Sequence, residues 1–149
     1  MKAIVRSLVA AGLLVLLIAC VPASPSAGTS GETAPVAVQT PAIDSRKLPK
    51  TLGHDELVQL LADKSAGVLL VDVRTLEEFN QGHIAGATLS PYNALETMFK
   101  EQDKSRPIVL YCRSGNRSSI AMRTLTTMGY TNVADFGGLN RWRGNLARP

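Results

Sequence analysis

The residues best suited to catalysis lie in one short segment that groups a cysteine, two arginines and two serines around a glycine. The segment reads Cys112-Arg113-Ser114-Gly115-Asn116-Arg117-Ser118. It follows an apolar stretch and precedes a helical pattern, so the thiol of Cys112 should lie beside the unpaired N–H groups of a helix N-terminus. Those N–H groups, the helix dipole and the guanidinium charges all favour an anion. We therefore predict that Cys112 is a reactive thiolate rather than a buried packing residue.

The same segment has the features of an anion-binding loop. Gly115 permits a positive φ, which lets successive N–H groups turn toward one centre, while Ser114 and Ser118 add hydroxyl donors. From residue 111 onward the chain has six arginines and one aspartate. This local surplus of positive charge predicts that residues 113–118 bind an anionic substrate.

Composition excludes several other kinds of site. The chain has 149 residues, two cysteines and two histidines, which rules out a four-cysteine zinc site and a disulfide-stapled scaffold. The two histidines are far apart and lack the spacing of metal ligands. Removal of Lys2 and Arg6 with the leader described below lowers the formal net charge from +4 to +2. That balance does not predict nucleic-acid binding.

The elements that must position the loop alternate between strand and helix patterns. Apolar and β-branched runs predict strands at residues 68–73, 87–89, 108–111 and 133–134. Helical spacing predicts helices at residues 55–64, 75–80, 94–101 and about 117–128, with a last one around Trp142. Such alternation is typical of an α/β domain with a mostly parallel sheet. Because ligands bind beyond the carboxyl ends of such strands, Cys112 and the residues up to Arg117 should form the site.

The N-terminus carries the pattern of an export signal. Two basic residues, Lys2 and Arg6, precede the apolar run Leu8–Ile18, which is too short to span a bilayer and fits a signal peptide. The run ends in Leu17-Ile18-Ala19-Cys20, which resembles the lipobox of bacterial lipoproteins. This resemblance implies cleavage before Cys20 and lipidation of its thiol. Ordinary signal-peptide cleavage, with Cys20 as a bystander, is the alternative.

These features divide the chain into three parts. Residues 1–19 are the predicted lipoprotein signal peptide, residues 20–47 a lipidated cysteine with a disordered tether rich in Pro, Ala, Ser and Thr, and residues 48–149 the folded domain. We expect a protein of the cell envelope, anchored to a membrane by lipid and facing the periplasm or the outside. Val21, in place of an aspartate after Cys20, implies the outer membrane in a Gram-negative host.

From about Leu48 to Leu146 the chain resembles a single rhodanese domain. The matching pieces, in order, are Val71-Asp72-Val73-Arg74, Glu78-Phe79, Gly82-His83-Ile84-Ala85-Gly86-Ala87, Tyr111-Cys112-Arg113-Ser114-Gly115-Asn116-Arg117-Ser118, Gly129-Tyr130, and Gly137-Gly138 with Trp142. The resemblance implies a five-stranded parallel sheet flanked by helices on both faces. It also implies a sulfurtransferase that needs no metal or organic cofactor and works through a persulfide on Cys112.

The implied reaction moves a sulfane sulfur from thiosulfate or a related donor to cyanide, a small thiol or a protein thiol. In this interpretation Arg113 and Arg117 offset the repulsion between the thiolate and an anionic donor. Asp72 and Arg74 are candidate supporting residues, with Asp72 hydrogen-bonded toward the loop or Arg74. We expect Arg74 and Glu78 to form a structural pair. His83 is expected to be packed and hydrogen-bonded, and His54 to be a surface or capping residue.

Three alternatives remain open on sequence. A cysteine-dependent phosphatase or arsenate reductase would hold a tetrahedral oxyanion, but only four residues separate Cys112 from Arg117, one fewer than that class has. A non-catalytic rhodanese-like binding module would lack the cysteine that this chain retains. A persulfide or polysulfide carrier, which delivers sulfur to a protein partner, shares all the chemistry and cannot be separated from the enzyme by sequence.

Overall fold

The computed structural model describes residues 42–149. The predicted signal peptide, Cys20 and most of the predicted tether lie outside these residues. Within the described part, no helix is long and apolar enough to cross a membrane.

Helices and strands alternate through residues 42–149, as the sequence predicts. The helices are α1 (His54–Ala62), α2 (Leu76–Gln81), α3 (Leu95–Met98) and α4 (Asn116–Thr127). The strands are β1 (Leu69–Asp72), β2 (His83–Ile84), β3 (Thr88–Leu89), β4 (Ile108–Cys112), β5 (Val133–Gly138) and β6 (Leu146–Ala147). Short 3-10 turns cover Lys64–Ala66 and Leu139–Arg141.

A parallel sheet in the order β3-β1-β4-β5 forms the centre of the domain. The predicted fifth strand is reduced, within the described residues, to one parallel bridge between Thr51 and Asp135. Two backbone hydrogen bonds make this bridge, from Asp135 N–H to Lys50 O (2.9 Å) and from Leu52 N–H to Asp135 O (3.2 Å). On one side the ladder cannot lengthen, because α1 begins at His54.

Apolar side chains cover both faces of the sheet, which confirms the predicted placement of helices on both sides. On one face Val71, Leu110 and Cys112 pack with the buried residues of α3 and α4. On the other face Leu70 and Tyr111 pack with the buried residues of α1. Strand β4 is buried along its whole length, which accounts for its continuous apolar sequence.

The last part of the chain differs from the prediction. Instead of a helix around Trp142, a single 3-10 turn ends at Arg141, and Trp142 has extended backbone. The chain then pairs β6 with β2 in antiparallel register, with Ile84 opposite Leu146. The Trp142 ring lies edge-on to His54 and Phe136 and so fixes this segment against α1 and β5. Strand β5 also runs four residues past its predicted end, to Gly138.

The predicted helix at residues 94–101 is a single turn. Helix α3 ends at Met98, and Phe99 is drawn into the core at 1% exposure. Ala94 caps the helix without a side-chain hydrogen bond, so the start of α3 is only weakly stabilised.

Packing of the domain begins before Leu48. Ile43 and Leu48 both pack against the core on the α1 face. The buried side chain of Asn132 donates to Ser45 O (2.8 Å) and accepts from the N–H of Leu48 (2.8 Å). Residues 43–48 therefore belong to the folded domain rather than to the tether.

Candidate active site

Cys112 is the last residue of β4, the strand that lies between β1 and β5 in the sheet. Its side chain is 1% exposed, and its thiol is free. Because the strands are parallel, the chain leaves the sheet here at the edge where β1 and β5 also end. The prediction that Cys112 lies at the carboxyl edge of the sheet is confirmed.

The loop after Cys112 turns back over the sulfur. Gly115 has φ +101°, the left-handed conformation that its position in the sequence predicts. This conformation directs its N–H to Cys112 Sγ at 3.0 Å. Gly115 is also the N-cap of α4, so the sulfur lies at the start of that helix.

Strand β5 supports the loop from the side, through close contacts that only glycine allows. Cys112 lies opposite Gly138 in the sheet register. A Cβ on Gly138 would come within 3.1 Å of both Arg113 O and the Ser114 Cα. A Cβ on Gly115 would lie 3.6 Å from the Gly137 Cα. The Gly137-Gly138 pair therefore lets the loop rest directly on the end of β5.

The surroundings of Cys112 lower the pKa of its thiol. Burial raises the pKa, but hydrogen bonds from the backbone and hydroxyl of Ser118 and from the backbone of Gly115 and Ser114 outweigh it. The Ser118 side chain is buried, and its hydroxyl also lies 3.0 Å from Gly115 O and 3.4 Å from Gly137 O. The site therefore favours the thiolate, the nucleophilic form.

Arg117 is held by α2 and does not point freely into the site. Its Nη1 and Nη2 donate to the two carboxylate oxygens of Glu78 at 2.6 and 2.8 Å. This ion pair lowers the pKa of Glu78 to about 2. Glu78 also accepts from the Thr75 N–H, and Thr75 Oγ1 accepts from the Glu78 N–H, so the two residues form a capping box at the start of α2.

The predicted pairing of Arg74 with Glu78 was wrong. Arg74 pairs instead with Asp72, with Nε donating at 2.9 Å and Nη2 at 2.6 Å, and both side chains are buried. Arg74 Nη2 also donates to Gly82 O at 2.7 Å, just after α2. Asp72 lies beside Tyr111 in the register, on the face of the sheet opposite to Cys112. Asp72 and Arg74 thus hold the C-terminal end of α2 through Gly82 O, and neither side chain contacts Cys112 Sγ.

The remaining loop residues lie at the surface. Arg113, Ser114 and Asn116 are exposed. Unlike Arg117, Arg113 forms no ion pair within residues 42–149. The loop therefore has one compensated arginine and one free arginine.

The two histidines lie outside this arrangement, as expected. The His83 ring stacks on Phe79 with centroids 3.7 Å apart, and its Nδ1 lies 3.0 Å from Phe79 O. His54 is the first residue of α1, where its Nδ1 accepts from the Arg143 N–H at 3.3 Å. Among the residues that the structure describes, no cluster of histidine, cysteine and carboxylate side chains could hold a metal ion.

The sequence reasoning missed two partners of the loop. It did not find Glu78 as the partner of Arg117, because the two residues are 39 positions apart and Glu78 was expected to pair with Arg74. It also did not find the contact of Gly137 and Gly138 with the loop. Two consecutive glycines directly after a strand were the available signal, since they permit close backbone approach.

Comparison with known proteins agrees with this geometry. Residues 53–145 match the rhodanese-like domain. A sulfurtransferase from Allochromatium vinosum is 42% identical over 92 residues, which cover 61% of this chain and 85% of the relative. A thiosulfate sulfurtransferase from Pseudomonas entomophila is 33% identical over 86 residues, covering 57% of this chain and 79% of the relative.

A solved structure of a rhodanese-like domain protein from Staphylococcus aureus has a TM-score of 0.60 at 30% identity. The match covers 68% of this chain and 99% of that protein. Because the family match spans more than half of the sequence and the sheet, helices and cysteine loop occupy the expected places, the chain belongs to the rhodanese-like family.

Proposed function

We propose that the protein is a sulfurtransferase that carries sulfur as a persulfide on Cys112. The donor is thiosulfate or a related sulfane-sulfur compound, and the acceptor is cyanide or a thiol. The observation that carries the proposal is the sulfur of Cys112 at a helix start, 3.0 Å from the Gly115 N–H and with a lowered pKa. The thiosulfate sulfurtransferase among the relatives supports the choice of donor.

In the first half-reaction the Cys112 thiolate attacks the outer sulfur of thiosulfate. A new S–S bond forms on Cys112 while the old S–S bond breaks, and sulfite leaves with the electron pair of that bond. In the second half-reaction cyanide or a thiolate attacks the outer persulfide sulfur. The S–S bond to Cys112 then breaks, the product carries the sulfur away, and the thiolate is restored.

The loop contributes mainly through its backbone. The N–H of Gly115 and the groups of Ser118 that stabilise the thiolate are suited to stabilising the similarly charged persulfide. Arg117 contributes indirectly, because its ion pair with Glu78 holds the first turn of α4 in place. Arg113 supplies the exposed positive charge of the loop.

Two further functions compete with this proposal. A phosphatase or arsenate reductase is disfavoured by the four residues between Cys112 and Arg117 and by the engagement of Arg117 with Glu78. Delivery of the persulfide to a protein thiol is favoured by two exposed apolar side chains at the carboxyl edge of the sheet. These are Leu76, which is 61% exposed, and Tyr92, which is 40% exposed. The N–H of Tyr92 donates to Val73 O, and Val73 lies beside Cys112 in the sheet.

The test is mass spectrometry of the intact protein after treatment with thiosulfate. Wild-type protein should gain one sulfur atom at Cys112, and subsequent cyanide should remove it. A Cys112→Ser variant should gain none, because a serine hydroxyl is not appreciably ionised near neutral pH. Sulfur transfer by the Cys112→Ser variant at the wild-type rate would refute the persulfide. Hydrolysis of aryl phosphates without any gain of sulfur would favour the phosphatase instead.

We also propose a lipid anchor at Cys20 that holds the protein in the cell envelope. The proposal rests on the apolar run Leu8–Ile18 and the lipobox-like residues that follow it. Two or more acyl chains would hold a protein stably on a membrane. Fractionation of cells that express a Cys20→Ser variant tests the anchor, since that variant should be released from membranes or remain unprocessed.

A further inference from the structure

The loop sequence suggests that both Arg113 and Arg117 offer positive charge to a substrate at Cys112. In the described part of the chain only Arg113 of these two is not engaged in an ion pair. The guanidinium of Arg117 is already bonded to both oxygens of Glu78. Arg113 is free but is only one charge, and it sits on an exposed side chain that nothing in residues 42–149 fixes by an ion pair. A doubly charged donor such as thiosulfate would gain from a second cation.

Arg141 lies next to the same loop although it is far from it in sequence. It follows β5 in the 3-10 turn Leu139–Arg141, and the Gly137-Gly138 pair just before that turn is the part of β5 that touches the loop. Arg141 Nη1 lies 3.2 Å from the position that a Cβ on Gly137 would take. The Gly137 Cα in turn lies 3.6 Å from the equivalent position on Gly115. Gly137 therefore separates the guanidinium of Arg141 from the residue whose N–H binds the sulfur.

The Arg141 guanidinium is held in place but keeps its charge uncompensated. Nη1 donates to Phe136 O at 2.8 Å, and the guanidinium carbon lies 5.5 Å from the centre of the Phe136 ring. These contacts hold Nη1 in place and leave the remaining N–H donors of the Arg141 guanidinium available to a ligand. Arg141 forms no ion pair with any residue that the structure describes.

We propose that Arg141 is a specificity-determining residue that binds the anionic end of the sulfur donor. This inference rests on the proposed sulfur transfer and adds to it the charge class of the donor. With the outer sulfur of the donor at Cys112, a sulfonate group would lie toward β5, between Arg113 and Arg141. On the side of Leu76 and α2, the guanidinium of Arg117 is already paired with Glu78.

The experiment compares an anionic donor with a neutral one. Single turnovers of Cys112 are measured with thiosulfate, a dianion, and with dimethyl trisulfide, which is uncharged. Thiosulfate gives the Cys112 persulfide and sulfite. With dimethyl trisulfide the thiolate attacks a methyl-bearing sulfur, the methyl persulfide anion leaves with the electron pair of the broken S–S bond, and Cys112 becomes a methyl disulfide. An Arg141→Gln variant should need about 10-fold more thiosulfate for half-maximal rate, the size expected for loss of one hydrogen bond to a charged group. Its reaction with dimethyl trisulfide should stay within about 2-fold of wild type, since the chain fold and the thiolate are unchanged. An Arg141→Lys variant should recover most of the lost thiosulfate affinity.

Arg106→Gln is the matched control. Arg106 is also an arginine with one backbone carbonyl partner, Gly67 O at 3.4 Å, but it precedes β4 and so lies at the opposite end of the sheet from Cys112. This variant should behave as wild type with both donors. Equal losses with both donors in Arg141→Gln, no loss with thiosulfate, or a lysine variant as weak as the glutamine variant would overturn the role of Arg141. Failure of wild-type protein to form a persulfide with thiosulfate would instead overturn the proposed function on which this inference rests.

Discussion

Cys112 is buried yet more acidic than an ordinary thiol, because its environment stabilises negative charge more than burial penalises it. Burial raises its pKa, the hydrogen bonds from Ser118, Gly115 and Ser114 lower it, and the charge of Arg117 also interacts with the thiolate. The loop sequence predicted the lowered pKa of this thiol, since a cysteine between a buried strand and a helix start lies at an anion-binding position. It did not predict that Arg117 also forms an ion pair with Glu78, on another helix.

The lowered pKa of Cys112 predicts the pH dependence of its reactivity. Only the thiolate reacts, so the rate of alkylation by iodoacetamide should rise with pH and level off below 9.0, the ordinary value for the thiol. Removing the hydroxyl in a Ser118→Ala variant should raise the pKa, slow alkylation at neutral pH and leave the rate at high pH unchanged.

Ser119→Ala is the control for that experiment, because the neighbouring Ser119 hydroxyl bonds to Asp135 at 3.0 Å instead of to the site. This variant should keep the wild-type profile. A wild-type inflection at or above pH 9, or identical profiles for both serine variants, would contradict the assignment.

At the scale of elements, the site depends on the joint between α2 and α4. Helix α2 buries no residue and has six residues, so it has little intrinsic stability. It is held by the Thr75–Glu78 capping box, by the Glu78–Arg117 ion pair and by the Arg74 bond to Gly82 O. These contacts connect α2, a helix of low intrinsic stability, to the first turn of α4.

The joint should contribute stability that depends on pH. The pKa of Glu78 is about 2 in the folded protein and 4.5 ordinarily, so its contribution is present above about pH 4.5 and is lost as pH falls toward 2. A Glu78→Gln variant should lose about 1–2 kcal/mol of unfolding free energy at pH 7, as expected for a partly buried two-bond ion pair. The difference from wild type should shrink as pH falls through this window.

Urea unfolding at several pH values measures this difference. Glu77→Gln is the control, because Glu77 also lies in the first turn of α2 but is exposed. A Glu78→Gln variant as stable as Glu77→Gln at neutral pH would show that the ion pair does not hold the joint.

Element positions followed from the sequence where one physical signal dominated. Strands β1 and β4 appeared within one residue of their predicted ends, since both are apolar runs buried on two faces. The end of β5 and the β2–β6 pairing were missed. The predicted strand ended at residue 134, before Gly137 and Gly138, although these glycines continue the sheet. Strand β6 has only two residues, whose pairing depends on a contact with distant Ile84. Such pairings have no local signature.

At the scale of the whole molecule, the domain begins earlier than its apolar pattern indicates. Residues 43–48 have too few apolar side chains to be recognised as part of a core. They are nevertheless fixed by Asn132, a buried residue 87 positions from Ser45. A polar contact across that separation cannot be read from a single sequence.

A chain that begins at Pro49 should therefore be less stable than one that begins at Ala42. It loses the packing of Ile43 and Leu48 and leaves the buried Asn132 amide without its two partners, at a cost of about 1–3 kcal/mol for the polar part alone. We expect its melting temperature to fall by about 5–10 °C for a domain of this size.

The control compares the chain that begins at Ala42 with a chain that begins at Cys20, the proposed start of the mature protein. Differential scanning calorimetry should give both the same melting temperature, because the predicted tether should not pack. A chain from Pro49 that melts with the chain from Ala42 would show that residues 43–48 contribute nothing.

The contact of β5 with the loop has a consequence for how the protein comes into being. Gly137 and Gly138 join the chain well after Cys112, and they meet the loop only once β5 has paired with β4. In an unfolded chain the Cys112 thiol has an ordinary pKa, because the hydrogen bonds that lower it do not yet exist. Cys112 therefore becomes reactive late in folding. The appearance of its thiolate would mark the moment at which folding is complete.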